Sequence, residues 1–329
     1  MNMKTEYAGL TLRNPLIVGS SGLTNQAKRN KAHEEAGAGA VVLKSLFEEQ
    51  IEMQSGTLVH ASDFPEAADY VASYVKANQL EKYIALIEET KALCHIPVIA
   101  SINCCRAGTW VEYASRLEKA GADALELNVF YLHTDPNDTR SGDVTDLYTT
   151  ILRGVKKAVS IPVIMKIGKN FSNIPALVSR LKAAGADGVV LFNRYYQPDI
   201  DINRQQIVSG KVFSSHSDLS DTLRWTALTA GKVQGISVAS STGVHDGEDV
   251  VKCLLAGASA VQLCSTVYMH GPEIIPQMLT RLEEWMMQNK YLSLKEFIGK
   301  LSFAGTGNPS FYERAQFMKY FSDPEHTND

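Results

Sequence analysis

Hydrophobic and polar positions fall in blocks along this chain, and the blocks repeat. Four segments, AGAGAVVLKS (36–45), AGADALELNV (120–129), AGADGVVLFN (184–193) and AGASAVQLCS (256–265), share one order of residue types. In each, a glycine stands where a helix would end, because glycine tolerates the left-handed cap, and the apolar run after it reads as a buried strand. Between them lie apolar runs that open on proline or glycine: Pro15 to Val18, Pro97 to Ala100, Pro162 to Met165 and Gly235 to Val238. Proline as the first residue of a strand removes no ladder hydrogen bond. The two sets together give eight strands separated by helical segments. That alternation predicts an α/β fold, a (β/α)8 TIM barrel, as one domain over 1–329.

Other stretches decorate this plan. Glu6 to Leu12 reads as a small hairpin turning at Ala8-Gly9, expected to plug the bottom of the barrel. Two insertions, about 46–93 and 194–217, follow strands 2 and 6 and are expected at the top face, where barrel enzymes carry their chemistry. The first ends in a helical region, Ala67 to Leu93, and the second is polar and aromatic. After Pro272 a helix is expected to about Lys290, then a segment from Ser293 to Leu301. The G-x-G at Gly37 and Gly39 precedes a strand instead of following one, so it is no dinucleotide fingerprint.

Composition narrows the function. A hydrophobic content of 45% suits a globular core, and a net charge of −4 argues against a nucleic-acid partner. No apolar run reaches the ~18 residues of a membrane span, and the N-terminus carries no targeting pattern, so a cytoplasmic protein is expected. The cysteines (Cys94, Cys104, Cys105, Cys253 and Cys264) show no zinc or iron–sulfur spacing, and free thiols with no metal are expected.

Candidate chemistry sits at the strand ends. The last two strands, Gly235 to Ala239 and Ala260 to Leu263, run into Ser240-Ser241-Thr242-Gly243 and Cys264-Ser265-Thr266. Loops of small hydroxyl residues let backbone N–H groups approach a phosphate, and the loops after strands 7 and 8 are a recurring phosphate site of the barrel. A helix from His245 to Ala256, stopped by Gly257, separates these strands. Strand 1 ends in Gly19-Ser20-Ser21-Gly22, and the next five deliver Lys44, Asn103, Asn128, Lys166 and Asn193. Polar residues closing apolar strands need partners, and two lysines at one mouth call for an anionic or electron-rich ligand.

On these residues the chain resembles the dihydroorotate dehydrogenase family, FMN-dependent (β/α)8 barrels that oxidise dihydroorotate to orotate in pyrimidine synthesis. The resemblance spans almost the whole chain, from the opening hairpin and Asn14-Pro15 to Gly271-Pro272. It is most specific at Lys44, Glu126-Leu127-Asn128, Pro162-Val163 with Lys166, Asn193, and Gly257 to Gln262. It implies that Ser20, Ser21 and Gly22 lie against the flavin, and that Lys44 and Lys166 contact its ring or ribityl chain. Ser241, Thr242, Gly243, Ser265 and Thr266 would then hold the phosphate, with Ser45, Asn103 and Cys264 in the cofactor's surroundings. Lys44, Asn128 and Asn193 would meet both the flavin and a small dihydroorotate-like substrate. Family members often pair, which implies a homodimer.

The departures concern the substrate. After strand 4 the family reads Asn-x-Ser-Cys-Pro-Asn, its Cys (or Ser) acting as base, whereas this chain has Tyr131 in the Cys position and His133 in that of the second Asn. The family's Asn-x-x-Gly loop after strand 2 is not recognisable, and its Gly-Gly phosphate turn appears as Ser241-Thr242-Gly243. Tyr131 and His133 are the candidate catalytic residues beside Lys44. A phenol with a pKa of ~10 is a poor base at neutral pH, whereas imidazole titrates in a useful range. Packing by Phe130-Tyr131 with a solvated His133 is the competing account. Three rivals stay open: FMN chemistry on another activated C=C substrate, a flavin-binding protein with little turnover, and a flavin-free lyase or isomerase using Lys44 or Lys166 as a Schiff base.

Overall fold

The computed structural model describes residues 1–49, 51, 68–104, 107–131, 134, 137 and 144–314. Strands β1 (Thr5–Tyr7) and β2 (Leu10–Leu12) form the expected hairpin, with Ala8 and Gly9 at positive φ in its turn. Then come β3 (Leu16–Val18), β4 (Ala40–Val42), the two-residue β5 (Leu46–Phe47), β6 (Val98–Asn103), β7 (Ala124–Asn128), β8 (Val163–Ile167) and β9 (Gly188–Leu191). A second hairpin, β10 (Pro198–Asp201) and β11 (Gln206–Ser209), precedes β12 (Ser237–Ser241) and β13 (Ala260–Leu263).

Eight parallel strands close into a barrel. The order β4-β3-β13-β12-β9-β8-β7-β6 is joined into a ring by β4 pairing with β6, Val41 opposite Val98. Closure leaves no barrel strand with an unpaired edge. β5 adds a short parallel pairing to the top of β6, Leu46 opposite Ile102. Helices between the strands pack outside, where Val250, Leu254, Leu152 and Leu181 are buried. Inside, Tyr7, Ala8 and Leu12 of the first hairpin pack against Ile17, Val42, Ile99 and Ile164. The hairpin thus stoppers the barrel from below, and Ala8 N donates to Ser237 Oγ at 2.9 Å.

The repeated sequence blocks carry a repeated set of hydrogen bonds. Asp123 Oδ2 accepts from Val98 N at 2.7 Å, and Asp187 Oδ2 accepts from Val163 N at 2.8 Å. Lys91 and Lys156 pair with those same carboxylates. Glu34 accepts from the amides of His95 and Ile96, and Glu118 from those of Ser160 and Ile161. The proline that starts each following strand donates nothing, so the amides on either side of it are held by carboxylates from neighbouring turns.

Element boundaries differ from the sequence reading in places. The seventh barrel strand covers Ser237–Ser241 and not Gly235 to Ala239. Gly235 has φ +72°, and pairing to β9 and β13 draws the serines into the ladder, where Ser240 Oγ bonds Thr226 Oγ1. The next helix spans Gly247–Ala256, because Asp246 caps it by accepting from Asp249 N. Gly257 ends it at φ +112°. Ser265 begins a short helix, Ser265–His270, instead of lying in a loop. The long helix of the first insertion is Ala68–Leu93 and the tail helix is Ile274–Gln288. The second insertion holds the β10–β11 hairpin, with Ile200, Ile202 and Ile207 exposed.

Candidate functional site

A cavity of about 300 Å³ opens at the C-terminal ends of the barrel strands. Ser20 reaches it after β3, Lys166 from β8, Asn193 after β9, Ser241 from the end of β12 with Thr242 and Gly243 after it, and Cys264 and Ser265 after β13. Its outer wall comes from the base of the β10–β11 hairpin, including Arg194, Tyr195, Lys211 and Ser214. Among its described lining residues three are cations (Lys166, Arg194 and Lys211) and none carries a carboxylate. Lys166 is balanced by Glu126 at 3.6 Å and Arg194 by Asp218 at 3.3 Å, both outside the lining, and Lys211 has no ion pair among the described residues; cations without acids on the cavity surface favour an anionic ligand.

The two turns at the far end of the cavity are built for close approach. Thr242 and Gly243 have φ of +84° and +90°. A Cβ on Gly243 would lie 2.3 Å from Leu219 N, so the turn rests against the start of the helix Leu219–Lys232. Thr222 Oγ1 donates to the carbonyls of Ser241 and Thr242, and Thr242 Oγ1 donates to Phe192 O. The turn is held from behind. The amides of Gly243, Val244 and Ser265 find no acceptor among the described residues. Ser214 N donates to Ser265 Oγ at 3.0 Å, and Ser214 Oγ contacts His245 Nε2 at 3.2 Å. Burial, then the neighbouring His216, lowers the His245 pKa, favouring the neutral imidazole.

At the other end, polar groups converge on the barrel axis. Asn193 Nδ2 donates to Asn128 Oδ1 at 2.6 Å, so the asparagines after strands 4 and 6 act as one pair. Lys166 Nζ donates to Gln262 Oε1 at 2.9 Å. Tyr195 stacks obliquely on Phe130, centroids 4.2 Å apart, and its hydroxyl donates to Asn170 Oδ1. Burial raises the Tyr195 hydroxyl and the Cys264 thiol above their usual pKa values, so both stay protonated at neutral pH.

Several residues singled out from sequence stand elsewhere. Lys44 is exposed and, with Ser45, lines a neighbouring cavity of about 220 Å³. Ser45 Oγ lies 3.0 Å from Ser20 Oγ and 2.7 Å from Ser101 Oγ, which links the two cavities by a row of hydroxyls. Asn103 closes β6 opposite Phe47 and does not line the main cavity. The Ser21 hydroxyl caps its own turn by accepting from Leu23 N, and Gly22 faces Tyr268, whose hydroxyl a Cβ would meet at 2.7 Å. Thr266 is buried, its hydroxyl donating to His245 O. Tyr131 is 44% exposed and His133 lies outside the described residues, as does Cys105. Arg194, Tyr195, Lys211 and Ser214 were not singled out, and the polar-aromatic character of 194–217 was their only local signal; Gln262 was noted as part of the Gly257 to Gln262 stretch but given no role in the site.

Comparison with known proteins gives a consistent result. The family model described as dihydroorotate dehydrogenase matches residues 2–286. A Pyrococcus furiosus protein described as dihydroorotate dehydrogenase B (NAD(+)), catalytic subunit, is 31% identical over 307 residues, 91% of this chain and 98% of that protein. Proteins of the same description from Methanosarcina acetivorans and Thermoplasma volcanium are 30% and 28% identical, covering 88% and 91% of this chain and 93% and 98% of their own.

Proposed function

The chain belongs to the dihydroorotate dehydrogenase family, and on that premise we propose that the barrel mouth binds FMN and oxidises dihydroorotate or a closely related dihydropyrimidine. The chain is an oxidoreductase acting on a CH–CH bond, and its family is flavin-dependent. The observation that carries the FMN reading is the cavity's lining: among the described residues it presents lysine and arginine but no carboxylate, and amide groups without acceptors close one end. A dianionic phosphate fits those amides and the hydroxyls of Ser241 and Ser265, while Thr242, its hydroxyl committed to Phe192 O, would contribute through its backbone. In this reading Thr266 contributes through its backbone, because its hydroxyl is already bonded. Ser20, Ser21, Gly22 and Lys166 would face the ring, with Cys264 in the same cavity and Ser45 in the neighbouring one; Asn103, which does not line the main cavity, would need its side chain turned inward.

When bound, the flavin accepts a hydride from the substrate, and the protein supplies orientation and charge. The joined amides of Asn128 and Asn193 would hold the substrate ring through their free donors and acceptors. Lys44 would need its side chain turned inward to join them. The neighbouring carbon must lose a proton, and we assign that proton to the loop bearing Tyr131 and His133, with His133 preferred on pKa grounds. As the whole of 1–329, the chain would form one barrel domain working in the cytoplasm; no described helix is long and apolar enough to cross a membrane. The relatives are named as catalytic subunits, which supports a partner subunit carrying electrons onward. Pairing with a second copy is part of the same proposal.

The test is anaerobic titration of the FMN-loaded protein with dihydroorotate, followed by flavin absorbance near ~450 nm. Bleaching that is lost in His133→Ala and kept in Tyr131→Phe supports the reading and the base. A yellow protein that does not bleach keeps the cofactor and moves the substrate to another activated C=C or CH–CH compound. Failure to take up FMN overturns the reading.

A further inference from the structure

Three side chains form a buried row of charge and amide beneath the cavity. Glu126 on β7 is 0% exposed, Gln262 on β13 2% and Lys166 on β8 7%. Lys166 Nζ donates to Gln262 Oε1 at 2.9 Å, and Gln262 Nε2 donates to Glu126 Oε2 at 2.5 Å. The ammonium also stands 3.6 Å from Glu126 Oε1, an oxygen that accepts no hydrogen bond among the described residues. An ammonium can only donate and a carboxylate can only accept, so the Gln262 amide has a single workable orientation. The row is ordered by its chemistry.

Packing gives no reason for this carboxylate. A buried ion pair is commonly matched or bettered in stability by apolar side chains of similar volume; Ser101 stands opposite Glu126 and the buried Tyr7 and Tyr83 hydroxyls sense its charge, yet none of these hydroxyls donates to the carboxylate. Only Lys166 and Gln262 of the three reach the cavity; Glu126 lies behind them. We infer that Glu126, acting through Gln262, is a positioning residue that fixes the Lys166 ammonium at the cavity floor and offsets part of its charge, and so sets the reduction potential of the flavin held there. The inference rests on the FMN reading above.

The physical argument is electrostatic. Two electrons and one proton added to oxidised flavin leave negative charge on its N1–O2 side. A nearby cation favours that product, and a carboxylate behind the cation opposes it. The amide bridge also holds the ammonium 3.6 Å from the carboxylate, beyond a hydrogen bond; a closer pair would draw the ammonium away from the cavity. Two substitutions should therefore move the potential in opposite directions. Glu126→Gln leaves Lys166 without its counter-charge and shifts the equilibrium towards reduced flavin. Gln262→Met removes the bridge, lets Lys166 fall back on Glu126, and shifts the equilibrium towards oxidised flavin.

The measurement is the two-electron potential of the FMN-loaded full chain, equilibrated with a reference dye, with flavin content determined in each sample. The expected shift is at least tenfold in the reduced-to-oxidised ratio, about 30 mV for a two-electron couple, positive for Glu126→Gln and negative for Gln262→Met. If one variant does not fold, the sign in the other decides. Unmoved potentials, or shifts of the same sign in both, overturn this inference and leave the FMN reading standing. A wild-type protein that takes up no FMN overturns both.

Discussion

Replacing Gly243 by alanine tests whether the turn at the cavity's far end is held as tightly as its contacts imply. Gly243 has φ +90°, a region in which an L-residue costs about 1–2 kcal/mol. The added Cβ would also lie 2.3 Å from Leu219 N, 2.6 Å from Leu219 Cα and 2.8 Å from Asp218 C. All three are backbone atoms at the start of a helix whose Leu219, Thr222 and Thr226 are buried, so relief requires moving the helix and not a side chain. Overpacking of this kind adds about 1–3 kcal/mol, giving about 2–5 kcal/mol in total. Against a typical domain stability of about 5–15 kcal/mol, the loss would be plain in urea denaturation followed by far-ultraviolet circular dichroism. Gly154→Ala is the control, since its Cβ would meet only Val111 Cγ2 at 3.4 Å inside the helix Val144–Ala158. It should gain about 0.5–1 kcal/mol. A Gly243→Ala midpoint equal to or above wild type would refute the argument, because the turn would then be free to move off the helix.

Two further predictions concern the carboxylates that anchor the repeats. Asp187→Ala strips the acceptor from the amide of fully buried Val163 and should cost about 1–3 kcal/mol by the same denaturation assay, with Asp187→Asn costing less because an acceptor remains. For Glu34, burial pushes the carboxyl pKa up, but Lys31 and the amides of His95 and Ile96 outweigh it and leave the folded value depressed. Its contribution to stability is therefore full above the unfolded value of about 4.3 and lost as pH falls through the lower folded value. Glu34→Gln should lower the urea midpoint at neutral pH and converge with wild type in acid; a constant gap across pH would show that the ionised carboxylate is not what holds those amides.

The sequence by itself determined the barrel. Its evidence was local: glycine caps such as Gly257, prolines opening β6 and β8, and short apolar runs whose limits for β13 matched residue for residue. Local signals suffice there because a cap, a missing N–H and a buried run each act within a few residues. The same logic brought Ser20, Lys166, Asn193, Ser241, Thr242, Gly243, Cys264 and Ser265 to one cavity, since the ends of parallel strands in a closed ring must converge. What the ends of strands do with their side chains was decided by the tertiary structure. Lys44 was expected to close a strand as Lys166 was, yet β4 stops at Val42, β5 runs on beyond Lys44 along β6, and Lys44 stands exposed beside a neighbouring cavity, whereas Lys166 lies within β8. The row from Glu126 through Gln262 to Lys166 joins residues up to 136 positions apart, and a bond of that span has no periodicity to read. The hairpin of β10 and β11 brings Arg194 and Lys211 back over the cavity although nothing within 194–217 fixes its direction. Strand identity is set by neighbours in the chain; the charge that meets a ligand is set by neighbours in space.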